Sequence, residues 1–508
     1  MAGVDCQILI IGCGISGVTA AKTLTDAGFN KVRILEATNR SGGRLLTGTL
    51  GERQVCPMGH KAVETCLLKS TFTKTRTPKP RSKSHFSLLQ ISKNKRGAGI
   101  QTRGCRINYK TKMGCVGKYH ITVSTVVCCQ KYESNSTDTC CSSAGTDIID
   151  LGAAFIHGPS EENPVFRVAR HYGLLSAEAL TEENQSADVS ERPPMVSNWF
   201  SCSGQRLSAK DMRPALIMYS QIMDDTSMCS SEEPQWTSVG HFMRSEAKRR
   251  AAEAWKDKDE ATRNLLFSAL SALFKVECCS NASNSMDDID LAGFCTYENL
   301  KGLDCTIQGG FELVIKNLVS ELPPGIVTYN RPVRCVHWNN TESSGSGVTV
   351  ECEDGERIAA DHVILTVPLG YLQKHHSTLF HPPLPPPKVH SIQNLGFGTC
   401  NKVFVEFDVP WWGPNCEIIY LVWKDEEDIT DHVTDVKQRW IRKMSSFTVQ
   451  EKSESHAHIL CGWIAGREAE YMESLPEEEF KQSVTELIQQ VHGKPCYRAK
   501  KNPTHSLV

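Results

Sequence analysis

The sequence predicts an α/β fold in which a parallel-sheet domain, assembled from separate stretches of chain, is joined to an α+β domain. Three observations predict it. Residues 7–36 read strand, glycine turn, helix, strand; residues 333–368 return to strand patterns; and the 165–295 region between them carries helical periodicity.

The first element is QILIIGCGISGVTAAKTLTDAGFNKVRILEA. An apolar strand runs into Gly12-x-Gly14-x-x-Gly17, an amphipathic helix follows through Leu24, and a second strand ends on Glu36. The first two glycines permit a tight turn and close approach of a pyrophosphate to the helix N-terminus, and the third lets helix pack on strand. Glu36 stands 19 residues after Gly17, placed to accept hydrogen bonds from a ribose 2′-hydroxyl. An acid there disfavours a 2′-phosphate, which leaves NAD or the adenosine half of FAD.

Later elements follow in order. ATRNLLFSALSALF carries an apolar stripe at Leu265, Leu266, Ala269, Leu270 and Leu273, the mark of a core-facing helix. Val333 opens a strand, the VTVECEDG hairpin and ADHVILTVPLG add further strands to one small sheet, and Pro368 begins a turn. NKVFVEF, 401–407, reads as a strand with Lys402 at its mouth, where an edge lysine would snorkel to water.

Composition narrows the function. With 508 residues there is chain for two or three domains, and no apolar run reaches the roughly 18 residues that span a bilayer. The N-terminus does not read as a secretory signal, and 22 cysteines are too few for a disulfide scaffold, so a reduced, intracellular protein is expected. No zinc spacing is present, and no metal is expected. Residues 56–146 hold 16 Lys or Arg against 3 Asp or Glu and eight of the cysteines, a balance of +13 that leaves −15 for the rest. Without aromatic interleaving this segment is not read as a nucleic-acid site, and the acidic remainder suits a cationic ligand.

The stretch Asn39-Arg40-Ser41-Gly42-Gly43-Arg44, directly after the second strand, resembles the flavin-dependent amine oxidases. The resemblance continues through LGAAFIHGPS at 151–160, SMDDIDLAGF, GLDCTIQGGF, PVRCVHW, ADHVILTVPLG, LGFGTCNKVFVEF and LCGWIAG, in the family's order. It points to the polyamine oxidase branch. It implies a discontinuous, glutathione-reductase-like FAD-binding domain of Rossmann type plus an α+β substrate-binding domain. The implied pieces are 1–55, 147–164 and 296–375 for FAD and 165–295 and 376–493 for substrate, with 56–146 a basic, disordered insertion and 494–508 a tail foreign to the family.

The resemblance further implies FAD held by Gly12, Gly14, Gly17, Glu36, Arg40, Gly42, Gly43, Arg44, Gly152, Ala153 and Val333. It assigns Lys402 to a water near flavin N5, in surroundings whose desolvation favours the neutral amine, and His157 to the rim of the substrate tunnel, where it meets an amine. The implied reaction is oxidation of the secondary amine of N1-acetylated polyamines by molecular oxygen, giving a shorter polyamine, an acetamidoaldehyde and hydrogen peroxide; spermine oxidation is the sibling alternative. A monomer without membrane or nucleic-acid partners is expected, peroxisomal or cytoplasmic, although SLV is not a peroxisomal tripeptide. Trp411, Trp412 and Trp463 fall where the family has aromatics, and Glu182 and Glu183 could draw in a cation. Three departures stand out: the 56–146 insertion, Ala154-Phe155 in place of the family's His-Trp, and CYRAKKNPTHSLV where a last FAD segment is expected. A chain without that segment is expected to under-hold its flavin, and a redox-inactive isoform is the second alternative.

Overall fold

The computed structural model describes residues 4–50, 65–71, 123–128, 147–188, 195–228, 237–338, 347–407, 410–426, 428–450 and 458–492. Its organising element is a four-stranded parallel sheet in the order His362–Leu365, Val4–Ile11, Phe29–Leu35, Val327–Thr328. Ile10 pairs with Ile34 on one side and Ile364 on the other. A strand's period of two sends ILII to both faces, and both are covered. Ile8 and Ile10 pack with Val18, Ala21 and Leu24 of the helix Ile15–Asp26, while Leu9 and Ile11 pack against Val333, Val350 and Ile358. Each such fully buried aliphatic side chain contributes about 1.5–3 kcal/mol.

Those last three residues belong to a second sheet, in the order Arg357–Ala360, Val348–Cys352, Val333–Trp338, Phe380–His381. The hairpin is present, but His362–Leu365 leaves it for the parallel sheet, so 333–368 does not form one sheet as expected. The physical reason is burial on both faces, which a run of apolar residues signals without saying beside which strand. Pro368 caps the helix Leu369–Leu379, and Phe380–His381 then returns to the small sheet.

An eight-stranded sheet carries the remaining core. Its order is Val123–Cys128, Thr65–Thr71, Cys400–Phe407, His458–Ala465, Ser446–Val449, Ile418–Val422, Ser197–Ser201, Arg206–Leu207. One face packs on the helices Ala209–Met228, Val239–Ala254 and Glu260–Ser280, whose Leu266, Ala269, Leu270 and Leu273 are buried as their spacing predicts. The other face takes Phe480, Val484, Leu487 and Val491 from the helix Glu477–His492.

The expectation of an aperiodic 56–146 segment needs one correction. Where it is described, Thr65–Thr71 and Val123–Cys128 form an antiparallel pair that adds to the Cys400–Phe407 strand at Lys402 and Val403; the rest of the segment, and the 494–508 tail, lie outside the described residues. Lys402 therefore stands on a strand paired on both sides, not on an edge. Among the described residues no helix is long and apolar enough to cross a membrane.

Candidate functional site

The glycine turn is shaped as its spacing requires. Gly12 has φ +106°, and a Cβ on Gly17 would lie 1.9 Å from the Gly12 carbonyl oxygen, so only glycine fits at 17. A Cβ on Gly14 would meet open space, which leaves room beside the helix start. Gly14 caps that helix without a side-chain hydrogen bond, and its first turn holds no acid. Backbone N–H groups and the positive end of the helix dipole thus face outward together, the arrangement that receives a phosphate.

Second-strand residues close on this turn. Glu36 accepts hydrogen bonds from the Cys13 N–H (2.7 Å), the Thr38 N–H (2.9 Å) and the Thr38 hydroxyl (2.8 Å). Gly42 N–H donates to the Cys13 carbonyl at 2.9 Å, which lays the 40–44 loop alongside the turn. Within that loop the two arginines differ. Arg40 donates to the carbonyls of Ser41, Gly43 and Leu45 and so holds the loop's shape. Arg44 is largely buried, and its Nη1 has no protein partner. Burial pulls its guanidinium down to about 10. An arginine whose Nη1 is unsatisfied, beside a helix N-terminus and open glycines, fits a pyrophosphate. Val333 lies to the Glu36 side, where Arg331 N–H donates to the Glu36 carbonyl at 2.8 Å, but its side chain packs into the core with Leu9 and Leu35. Only its backbone remains for a ligand.

The same loop leads to the lysine. Ala153 N–H donates to the Arg44 carbonyl at 3.3 Å and Gly152 N–H to the Leu46 carbonyl at 3.0 Å. The Gly152 carbonyl, in turn, accepts from Lys402 Nζ at 2.7 Å, and the Asp150 carbonyl from the same Nζ at 2.9 Å. Lys402 is 2% exposed, and its ammonium lies 5.0 Å from the centre of the Trp463 ring. Two carbonyl acceptors and a ring face thus surround the buried Nζ. Asp150 accepts from the Thr47 hydroxyl and the Phe311 N–H, both at 2.7 Å, and burial raises its carboxyl while those bonds and the Lys402 charge oppose the rise.

His157 sits further along the segment, with its side chain 72% exposed. Its Nδ1 is 2.9 Å from Asp304 Oδ2, and this bond raises the imidazole above its ordinary value. Nearby, Glu182 with Glu161 and Glu162 borders a recess of ≈ 570 Å³, while Glu183 is exposed on the same short helix. Trp412 is buried in a core cluster and Trp411 packs against it, so of the three tryptophans it is Trp463 that meets Lys402. Asp150 and Asp304 escaped the sequence reading. Asp304 lies inside GLDCTIQGGF and Asp150 directly precedes LGAAFIHGPS, yet nothing in a linear pattern says which side chains they touch.

The flavin containing amine oxidoreductase family matches residues 141–508, and a NAD(P)-binding Rossmann-like domain matches residues 10–66. Peroxisomal N(1)-acetyl-spermine/spermidine oxidase of Homo sapiens is 38% identical over 366 residues, 71% of each chain, and the Bos taurus protein of that name is 37% identical over the same shares. Probable polyamine oxidase 5 of Arabidopsis thaliana is 29% identical over 68% of this chain and 67% of its own. Among solved structures, wild-type putrescine oxidase bound to putrescine superposes with a TM-score of 0.52 over 96% of this chain and 82% of its own; at 16% identity it speaks to the fold.

Proposed function

The chain belongs to the flavin containing amine oxidoreductases, as an FAD-dependent enzyme, and from that premise we propose that it oxidises the secondary amine of N1-acetylated polyamines. The observation that carries the reading is the 38% identity to a human enzyme named for acetylated spermine and spermidine, extending over 71% of both chains. Oxygen and water are consumed; a shorter polyamine, an acetamidoaldehyde and hydrogen peroxide leave. The compartment in the names of both mammalian relatives supports a peroxisomal address.

In this reading the chain's residues divide the work. Gly12, Gly14, Gly17 and Arg44 hold the pyrophosphate, and Glu36 turns its carboxylate from the Cys13 and Thr38 donors to a ribose hydroxyl. FAD bound there supplies the acceptor for the electron pair of the C–H bond beside the amine. Lys402, fixed by the carbonyls of Asp150 and Gly152, orients water, and His157 receives the substrate amine, which must shed its proton before its lone pair can assist oxidation.

The experiment is a peroxide assay on the FAD-loaded protein with N1-acetylspermine, N1-acetylspermidine, spermine and putrescine. The acetylated substrates are expected to give the highest kcat/KM. Spermine as the best substrate would transfer the reading to the sibling activity, and a yellow, FAD-loaded protein that yields peroxide with none of the four would end it.

A further inference from the structure

Asp304 is the most specific feature outside the predicted site. It reaches His157 through a backbone arrangement that leaves little freedom. Ile156 and Cys305 form an antiparallel bridge, N–H to carbonyl at 2.8 Å one way and 3.2 Å the other, which sets 157 and 304 side by side. Gly158 and Gly302 hold φ +61° and +110°, and a Cβ on either would collide with Leu300 or Pro159 across the gap, so the two segments lie in close contact. Each is pinned again from outside: Asn163 Nδ2 donates to the His157 carbonyl at 2.8 Å, and Leu303 N–H donates to the Asn184 carbonyl at 3.1 Å.

A carboxylate can only accept, so the His157–Asp304 bond at 2.9 Å puts a proton on Nδ1 and turns Nε2 away as the free-electron-pair nitrogen of the neutral ring. We propose that Asp304 is a positioning residue that fixes the His157 tautomer and strengthens Nε2 as the acceptor of a proton from the substrate ammonium. In that step the N–H bond of the ammonium breaks, its electron pair stays on the amine, and the proton forms a new bond to Nε2. The inference rests on the amine-oxidising reading above and adds the residue that tunes its base.

The electrostatics agree with the geometry. The bond to Asp304 raises the imidazole, and the Asp304 charge adds to the rise. The other groups around it do not compete: Cys305, pushed up to about 11 by burial and then by Asp304, stays a neutral thiol, Glu161 is paired with Arg170, Phe155 is apolar, and Glu162 and Lys301 border the neighbouring recess. A raised imidazole is protonated over more of the acid range, so activity that needs neutral Nε2 rises at higher pH than it would without Asp304.

Two measurements on FAD-loaded wild type, Asp304→Asn, Asp304→Ala and Asp304→Glu test this. Diethyl pyrocarbonate acylates the neutral imidazole, so its reaction at His157, followed by peptide mass mapping against pH, reads the ring directly without turnover. Asparagine keeps an oxygen for Nδ1–H but loses the charge: the His157 midpoint and the acid limb of kcat/KM should both move to lower pH. Alanine should also lower kcat/KM about 10- to 100-fold, the usual cost of losing a group that orients a functional histidine, and glutamate should restore part of it. An unchanged His157 midpoint in Asp304→Asn overturns the proposal, as does a shifted midpoint with an unmoved kcat/KM limb. Absence of amine oxidation in wild type would instead strike the underlying functional reading, and the acylation profile would show the pair intact.

Discussion

Two buried lysines, in two regions, are compensated by different chemistry. Lys275, on the helix Glu260–Ser280, is fully buried and ion-paired with the Glu426 carboxylate; burial pulls the lysine down and pushes the glutamate up. Lys402, on the eight-stranded sheet, donates to the backbone carbonyls of Asp150 and Gly152 and lies against the Trp463 ring, with the Asp150 carboxyl acting on it electrostatically. An ion pair serves chiefly its two members, which titrate together. Carbonyl acceptors cannot titrate, and these two belong to the segment whose next residue, Ala153, bonds to Arg44. The Lys402 arrangement thus holds an amine in register with the dinucleotide loop, whereas the Lys275 pair holds the helix Glu260–Ser280 to the 426 loop.

The largest effect separates the two by function. Lys402→Met should lower turnover about 10²- to 10⁴-fold, the range of general acid–base groups, and slow flavin reduction far more than His157→Ala does. Lys275→Met in the FAD-loaded enzyme should leave the surviving folded fraction near wild-type kcat. Equal rates for Lys402→Met and wild type in stopped-flow reduction would erase the distinction.

Stability probes the buried charges themselves. Glu426→Gln strands a buried ammonium and should cost about 3–5 kcal/mol in urea unfolding, while the double change Lys275→Met with Glu426→Leu should cost less than either single change. Lys402→Met leaves two carbonyls without their donor, about 1–3 kcal/mol each. A double change that costs as much as Glu426→Gln alone would show that the pair does more than neutralise its own buried charges.

Arg44 sharpens it, as a buried cation whose Nη1 has no protein partner. Arg44→Met should weaken FAD binding by about 1.5–3 kcal/mol, the worth of one charge-assisted hydrogen bond, roughly 10- to 150-fold in a fluorescence titration. Because this Nη1 has no protein partner to lose, the apoprotein should not lose stability by the change. If apoprotein stability falls and FAD affinity does not, Arg44 is a structural arginine.

The smallest effect is in pH. Burial would raise the Asp431 carboxyl, but His432, Lys443, the Met286 N–H and Arg244 together hold it down at about 2. A carboxyl lowered in the fold contributes stability above its unfolded value, near 3.9, and that contribution is lost as pH falls through about 2. Wild type should therefore lose urea resistance between about pH 4 and pH 2, and the gap between it and Asp431→Asn should narrow across that window.

Much of the dinucleotide unit was legible because its physics is local. Gly12, Gly14 and Gly17 are dictated by backbone geometry within one turn, and the stripe at Leu266, Ala269, Leu270 and Leu273 by helical spacing. Arg40 shows the limit: its place beside the loop could be read, but not that its guanidinium would be occupied by the carbonyls of Ser41, Gly43 and Leu45. His362–Leu365 shows another, since an apolar strand carries no label for the sheet it joins.

By itself, then, the sequence determined the elements, the glycine turn and its acid, and the kin of the chain, since each depends on residues near one another or on motifs in a fixed order. Tertiary structure alone decided that Lys402 stands on an interior strand with its Nζ on the Asp150 and Gly152 carbonyls, and that His157 faces Asp304. Those contacts span about 250 and 147 residues of chain. A hydrogen bond across such a separation is set by packing of whole elements, which no periodicity records.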